Sequence, residues 1–197
     1  MILKKLLIVL LSSILLFLCL STSTYAISIR LDYSGSISVG DTFNLDVIVD
    51  GAEIDSVLGF GELFAFGFDV NYDSESFLYN GATVGLNFFD DSFLFENTDV
   101  AGSICPGIAG DGILLASLSF TALVAGDHDL GITSDIVDPL DPLDTGDKNE
   151  GLFSLSGTMD ITQSVDINVA PVPEPATLLL FGFGLIGLAG FRKRSKV

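Results

Sequence analysis

Three observations predict an all-β fold, a sandwich of two sheets, for the body of this 197-residue chain. Apolar and polar side chains alternate with period two in segment after segment, the mark of strands that bury one face. Gly-Asp, Asp-Gly and Asn-Gly dipeptides punctuate those segments where tight turns are needed. No segment before residue 176 shows apolar spacing of helical period. Many short strands, each with one apolar face, call for two sheets stacked on a shared core.

The chain opens with Lys4-Lys5, an apolar run from Leu6 to Leu20, and the small polar stretch Ser21 to Ala26. Charged start, apolar middle and small-residue end describe a secretory signal peptide over residues 1–26, cleaved after Ala26. A lipoprotein reading would use Cys19, but Leu18 before it is too large. An uncleaved anchor is the other alternative. Cleavage at Ala26 removes Cys19, leaves Cys105 alone and excludes an intrachain disulfide. Cys105 is expected to be a buried small side chain, with a free thiol or an intermolecular bridge as the alternatives.

The body spans 27–170, 144 residues, enough for one core. In Thr42–Val49, Phe43, Leu45, Val47 and Val49 share a face. Phe64, Phe66, Phe68 and Val70 do so next, with Ala65, Gly67 and Asp69 opposite. Leu114, Ala116, Leu118, Phe120 and Ala122 form a third row. Met159, Ile161, Val165, Ile167 and Val169 form a fourth. Turns are expected at Gly40-Asp41, Asp50-Gly51, Asn80-Gly81 and Gly126-Asp127. The stretch from Asn80 to Gly112 departs most from alternation and reads as an insertion or a loop with a short helix.

The body carries 25 of the 26 acidic residues and two basic ones, Arg30 and Lys148, a net charge of −23. Such a surface repels phosphate backbones and anionic lipid, which excludes nucleic acid as a partner. Its Phe, Leu, Ile and Val content separates it from disordered acidic chains. His128 is the sole histidine, in Gly126-Asp127-His128-Asp129, and reads as a solvated turn residue. A Ser-His-Asp triad could use only this histidine, and one His with one Cys builds no usual zinc site. The sequence points to no enzyme. Asp138, Asp141, Asp144 and Asp147 recur every third residue, with Pro139, Pro142 and Gly146 among them. Calcium takes six to eight oxygens, so this spacing makes a calcium site one reading and a solvated acidic loop the other. No other cofactor is expected.

After the body come Pro171-Val172-Pro173-Glu174-Pro175, an uncharged run from Ala176 to Phe191, and Arg192-Lys193-Arg194-Ser195-Lys196. The prolines fix φ and bias their neighbours toward extended backbone, so the first stretch is a stiff stalk. The apolar run is 16 residues. As a helix it reaches about 24 Å at ~1.5 Å per residue. That falls short of the ~30 Å apolar core of a bilayer. Snorkelling of the basic side chains extends it. A transmembrane helix over 176–191 with a cytoplasmic basic end places the body outside. A buried C-terminal helix of a soluble domain is the alternative, but this run has no polar face.

The order Pro173-Glu174-Pro175, apolar run, basic cluster closely resembles the bacterial PEP-CTERM sorting signal over residues 171–197. The resemblance implies that exosortase recognises Pro173, Glu174 and Pro175 and processes the chain near its tail. The chain is then the substrate of that reaction. It also implies a Gram-negative, polysaccharide-producing source and display at the surface or in the biofilm matrix. A second resemblance covers the body. Ser38–Phe43, Phe66–Asp73 and Leu114–Ala122 resemble successive strands of cohesin-like domains, which are jelly-roll sandwiches. It implies that Tyr72-Asp73 ends a strand and that Leu115-Ala116-x-Leu118-x-Phe120 lies in the core. It carries no dockerin-binding surface.

Together these readings describe an exported protein, anchored by its C-terminus, with a non-catalytic binding, adhesion or structural body. Extracellular polysaccharide is a candidate partner. A secreted carbohydrate-binding module is the alternative. Against it stand the absence of Trp and the placement of most phenylalanines on strand core faces.

Overall fold

A strand that alternates apolar and polar side chains must remove one face from water, and two sheets stacked about 10 Å apart do this for each other. The computed structural model has this arrangement and describes residues 27–54, 59, 61–136, 150–155, 157–172 and 180–186. Its strands are β1 (Ser28–Tyr33), β2 (Ile37–Ser38), β3 (Thr42–Asp50), β4 (Leu63–Tyr72), β5 (Phe77–Val84), β6 (Phe89–Asp90), β7 (Val100–Ile108), β8 (Ile113–Ala122), β9 (Gly126–Thr133), β10 (Gly151–Ser154), β11 (Gly157–Met159) and β12 (Gln163–Ala170). One sheet runs β1-β3-β8-β5. The other runs β11-β10-β4-β9-β12-β2, with β7 beside β4 and β6 beside β7. Pairing is antiparallel except between β12 and β2.

The core lies between the sheets and is built on phenylalanine. Phe120 of β8 is fully buried and meets Phe43, Phe77, Tyr72 and Tyr79 at ring-centre distances of 5.3–6.1 Å. Phe66, Phe68 and Phe88 form a second aromatic group. Full burial of one such side chain contributes about 1.5–3 kcal/mol. Cys19 lies outside the described residues and Cys105 is unbridged, so packing and the hydrogen-bonded ladders carry the described body.

Alternation gave the strands but missed the bulges. In β4 the core face is Leu63, Phe66 and Phe68, not Phe64. The register slips between Leu63 and Ala65, so Phe64 is an extra residue and the phase shifts by one. In β8 the pairing slips opposite Val47/Ile48. Leu115 is the extra residue there, and Ile113 and Leu115 are buried in place of Leu114. Asn80-Gly81 is no turn. It lies inside β5, where the register shifts opposite Phe120/Ser119 and Gly81 takes φ 117. The row from Met159 to Val169 is two strands, broken at 160–162, though Ile161, Ile167 and Val169 are buried.

The stretch from Asn80 to Gly112 is mostly part of the sandwich. It supplies the end of β5, then β6, a 3₁₀ turn at Ser92–Leu94, and β7 along β4. As the sequence resemblance implied, β4 ends at Tyr72 and Asp73 closes the turn, accepting hydrogen bonds from Ser76 Oγ at 2.6 Å and Glu75 N at 2.9 Å. Leu115, Ala116, Leu118 and Phe120 are all buried.

Candidate functional site at the carboxyl end of the body

The body ends on a fastened strand. β12 pairs with β9 from Gln163 to Val169, while Val169 and Ala170 pair with Ile37 and Ser38 of β2. The Ala170 carbonyl accepts a hydrogen bond from Val39 N at 3.0 Å. The turn after β2 is closed by Asp41, whose carboxylate accepts Ser38 N at 2.9 Å and whose own N–H donates to Ser38 O at 2.9 Å. Gly40 reaches φ 90, a region open chiefly to glycine, and its N–H donates to Ala122 O at 2.8 Å. Buried Ile37 holds β2 from below. The turn thus ties the last strand of one sheet to the end of β8 in the other.

Immediately after this clasp, Pro171 and Val172 leave the ladder and are exposed. Residues 180–186 are helical, and Leu180, Phe181, Phe183, Leu185 and Ile186 are all exposed. Apolar helix surface on this scale is stable only where something other than water covers it. The sequence from residue 171 onward has the stalk, apolar run and basic end, and it matches the family model described as the PEP-CTERM protein-sorting motif over residues 171–194.

The chain carries a PEP-CTERM sorting motif.

The motif implies an exported, exosortase-sorted protein with a membrane-anchored C-terminus. It begins at the residue after the clasp, with no slack between body and signal. Among the described residues no helix is long and apolar enough to cross a membrane. The expected span 176–191 is described only at 180–186. Ala26, Pro173, Glu174 and Pro175 lie outside the described residues, as do Asp138, Asp141, Asp144 and Asp147.

The body is similar to cohesin modules. One, from a Clostridium perfringens family 33 glycoside hydrolase, is 12% identical with a TM-score of 0.49, covering 75% of this chain and 99% of that module. Another, a non-cellulosomal cohesin of Archaeoglobus fulgidus, is 15% identical with a TM-score of 0.48, covering 77% and 94%. No curated protein matches the chain.

Among the described residues, two hollows stand out on the body that precedes the PEP-CTERM motif. The first, of about 510 Å³, is lined by Asn71, Tyr72, Asp73, Asp127, His128 and Asp129, among others. It forms where β4 stops at Tyr72 and β9 runs on paired with β12 alone. Asp129 sits directly opposite Asp166 across the β9–β12 ladder. The hydrogen bond that protonated Asp166 donates to Asp129, together with the Asp129 charge, pushes the Asp166 carboxyl above the usual range. The second hollow, of about 230 Å³, lies over β4, β7 and β10.

His128 is not in a turn. It is a half-buried residue of β9, its ring edge-on to Phe77 at 5.6 Å and its Nε2 3.2 Å from the carbonyl oxygen of Val124. A backbone carbonyl and a phenylalanine make it the lid on one end of the core. Cys105 is exposed on β7, against the expectation of burial, because the strand arches away from β4 between Ser103 and Ile108. Tyr72 and Tyr79 sit in the aromatic core, and burial, with Asp99 and Tyr72 nearby, pushes the Tyr79 hydroxyl up to about 12. Both tyrosines serve packing first. Phenylalanines are not confined to the core: Phe89 and Phe93 stand in solvent.

Proposed function

We propose that the protein is a non-catalytic surface or extracellular-matrix protein, exported, held at the cell envelope by its C-terminus, and passed by exosortase to the cell surface or its surroundings. Pro173, Glu174 and Pro175 are the recognised residues and Ala26 ends the removed leader. Domains follow as 1–26 leader, 27–170 body and 171–197 sorting segment. One observation carries the reading: the PEP-CTERM motif begins at the residue after the last hydrogen-bonded residue of a closed sandwich. A cut beyond Ala170 thus leaves the body's last hydrogen bond in place, and the body stays folded whatever becomes of the tail. Intact-mass analysis in cells with and without exosortase tests it. Loss of both the leader and the tail is expected only when exosortase is present. A chain with both ends intact in the cytosol overturns it.

The body's role is adhesion, matrix structure or ligand binding, with extracellular polysaccharide a candidate partner. Calcium held by Asp138, Asp141, Asp144 and Asp147 belongs to the same proposal. Calorimetry should give saturable heat that disappears in Asp141→Asn/Asp144→Asn, and no heat in millimolar calcium refutes it. A secreted carbohydrate-binding module is the second reading. The solvent-exposed Phe89 and Phe93 favour it, supplying aromatic faces that strand patterning alone withheld. A glycan array with Phe89→Ser and Phe93→Ser variants separates the two.

A further inference from the structure

The segment 86–95 combines two properties that oppose each other in an isolated soluble protein. Leu86, Phe89, Phe93 and Leu94 are 103, 70, 81 and 60% exposed, all within nine residues. Yet the segment is fixed. Phe88 is buried, with its ring perpendicular to Phe66 at 5.1 Å. Phe89 and Asp90 pair with Ser103 and Gly102. Asp91 N donates to Ala101 O at 3.0 Å, and Ala101 N donates to Ser92 Oγ at 3.0 Å. Ser92 Oγ in turn donates to Asp90 Oδ1 at 2.7 Å. Large side chains held in water by so many bonds are pre-organised rather than left over from folding.

Beside the segment lies the 230 Å³ hollow, with Ala65, Ala101 and Ser103 below and Phe95, Phe153 and Asp91 around it. Small-molecule pockets run from about 300 to 1,000 Å³. This one is the size of a single large apolar side chain, a common anchor of protein interfaces. Asp90 and Asp91 stand on the same segment and Glu96 follows it; of the body's two basic residues, Arg30 on β1 bonds Asp32 and Asp50, and Lys148 lies outside the described residues. A second copy would set one −23 body against another. Anionic lipid meets the same repulsion. The charges complement a partner with an apolar knob ringed by Lys and Arg.

The geometry points to segment 86–95 and the adjoining hollow as a docking surface for a protein or peptide that inserts one large apolar side chain and surrounds it with basic residues. This rests on the reading of the body as a binding module and names its face and partner chemistry. Electrostatics steers the encounter, and the apolar anchor sets the lifetime.

The test uses the full-length protein in phosphatidylcholine nanodiscs, with empty discs as blank. The probes are a 15-residue amphipathic Leu/Lys helix and an all-Lys peptide of equal charge. The Leu/Lys peptide should bind saturably, at least tenfold tighter than the all-Lys peptide. Phe93→Ser/Leu94→Ser should weaken it at least tenfold without moving the melting temperature, since both side chains are already in water. Raising salt from 50 to 300 mM should weaken it further. The inference is overturned if the double variant binds as wild type, or if both peptides bind equally. It is also overturned if the exposed residues instead drive self-association, or if a glycan competes for them. Export is not read in this experiment, so failure of the sorting reading would be seen separately.

Discussion

Replacing Gly40 and Asp41 together by alanine should open the clasp at the end of the body and leave the sandwich closed. Asp41 contributes one hydrogen bond to Ser38 N at an exposed site, about 0.5–1.5 kcal/mol. Gly40 sits at φ 90 with open space around a Cβ, so alanine there costs backbone strain alone, roughly 1–2 kcal/mol. Together the changes remove about 1.5–3.5 kcal/mol from β2. That corresponds to a local opening roughly ten- to several-hundredfold more frequent. Val39 N donates to Ala170 O, so its amide reports the opening directly. Hydrogen exchange should speed up by that factor at Val39, while amides in the middle of β8 and β9 keep their rates. A protease that trims the tail of the wild type back to Pro171–Val172 should then advance into β12. Unchanged exchange at Val39 would refute the clasp. Equal acceleration of every amide would show instead that β2 is part of one cooperative unit.

Three further outcomes follow from the geometry. Phe120→Ala empties the centre of the aromatic core and should cost about 3–5 kcal/mol, read as a lower denaturation midpoint; a loss below 1 kcal/mol would mean the core is not where the ring contacts put it. Asp166→Asn removes a carboxylate facing Asp129, and because the folded-state pKa is raised, the repulsion acts above that pKa and is relieved as pH falls through it. The variant should therefore melt higher than wild type at neutral pH, and the gap should close on acidification below the raised pKa. Asp160 behaves oppositely: bonds from Thr162 and Ser134 lower its pKa, so its contribution is full above the ordinary carboxylate value near 3.8 and is lost as pH falls through the depressed one. Asp160→Asn should melt lower at neutral pH and converge with wild type in strong acid.

Much of the architecture was legible because strand burial has a period of two, which side-chain chemistry writes directly into the chain. β3 follows its pattern from Phe43 to Val49 without fault. The faults come where a bulge adds a residue. Phe64 and Leu115 look like ordinary members of their rows, and nothing local distinguishes the extra residue from its neighbours. Asn80-Gly81 has the composition of a turn, yet its place opposite β8 makes it a bulge. His128 read as a solvated turn residue, because its contact with Phe77 joins positions 51 apart in the chain.

The chain's own order determined where the protein is bound for: a stalk, an apolar stretch and a basic end are local features, and their meaning needs no folding. It determined the charge of the body and the sheet-forming character of its segments for the same reason. Only the tertiary structure decided that β2, two residues long, fastens Ala170 at the threshold of the sorting motif. Only it decided that Phe88 goes into the core while Phe89 and Phe93 are held out in water. Those choices depend on which strands become neighbours. That is set by closing two sheets over one core, a long-range condition that no window of sequence contains.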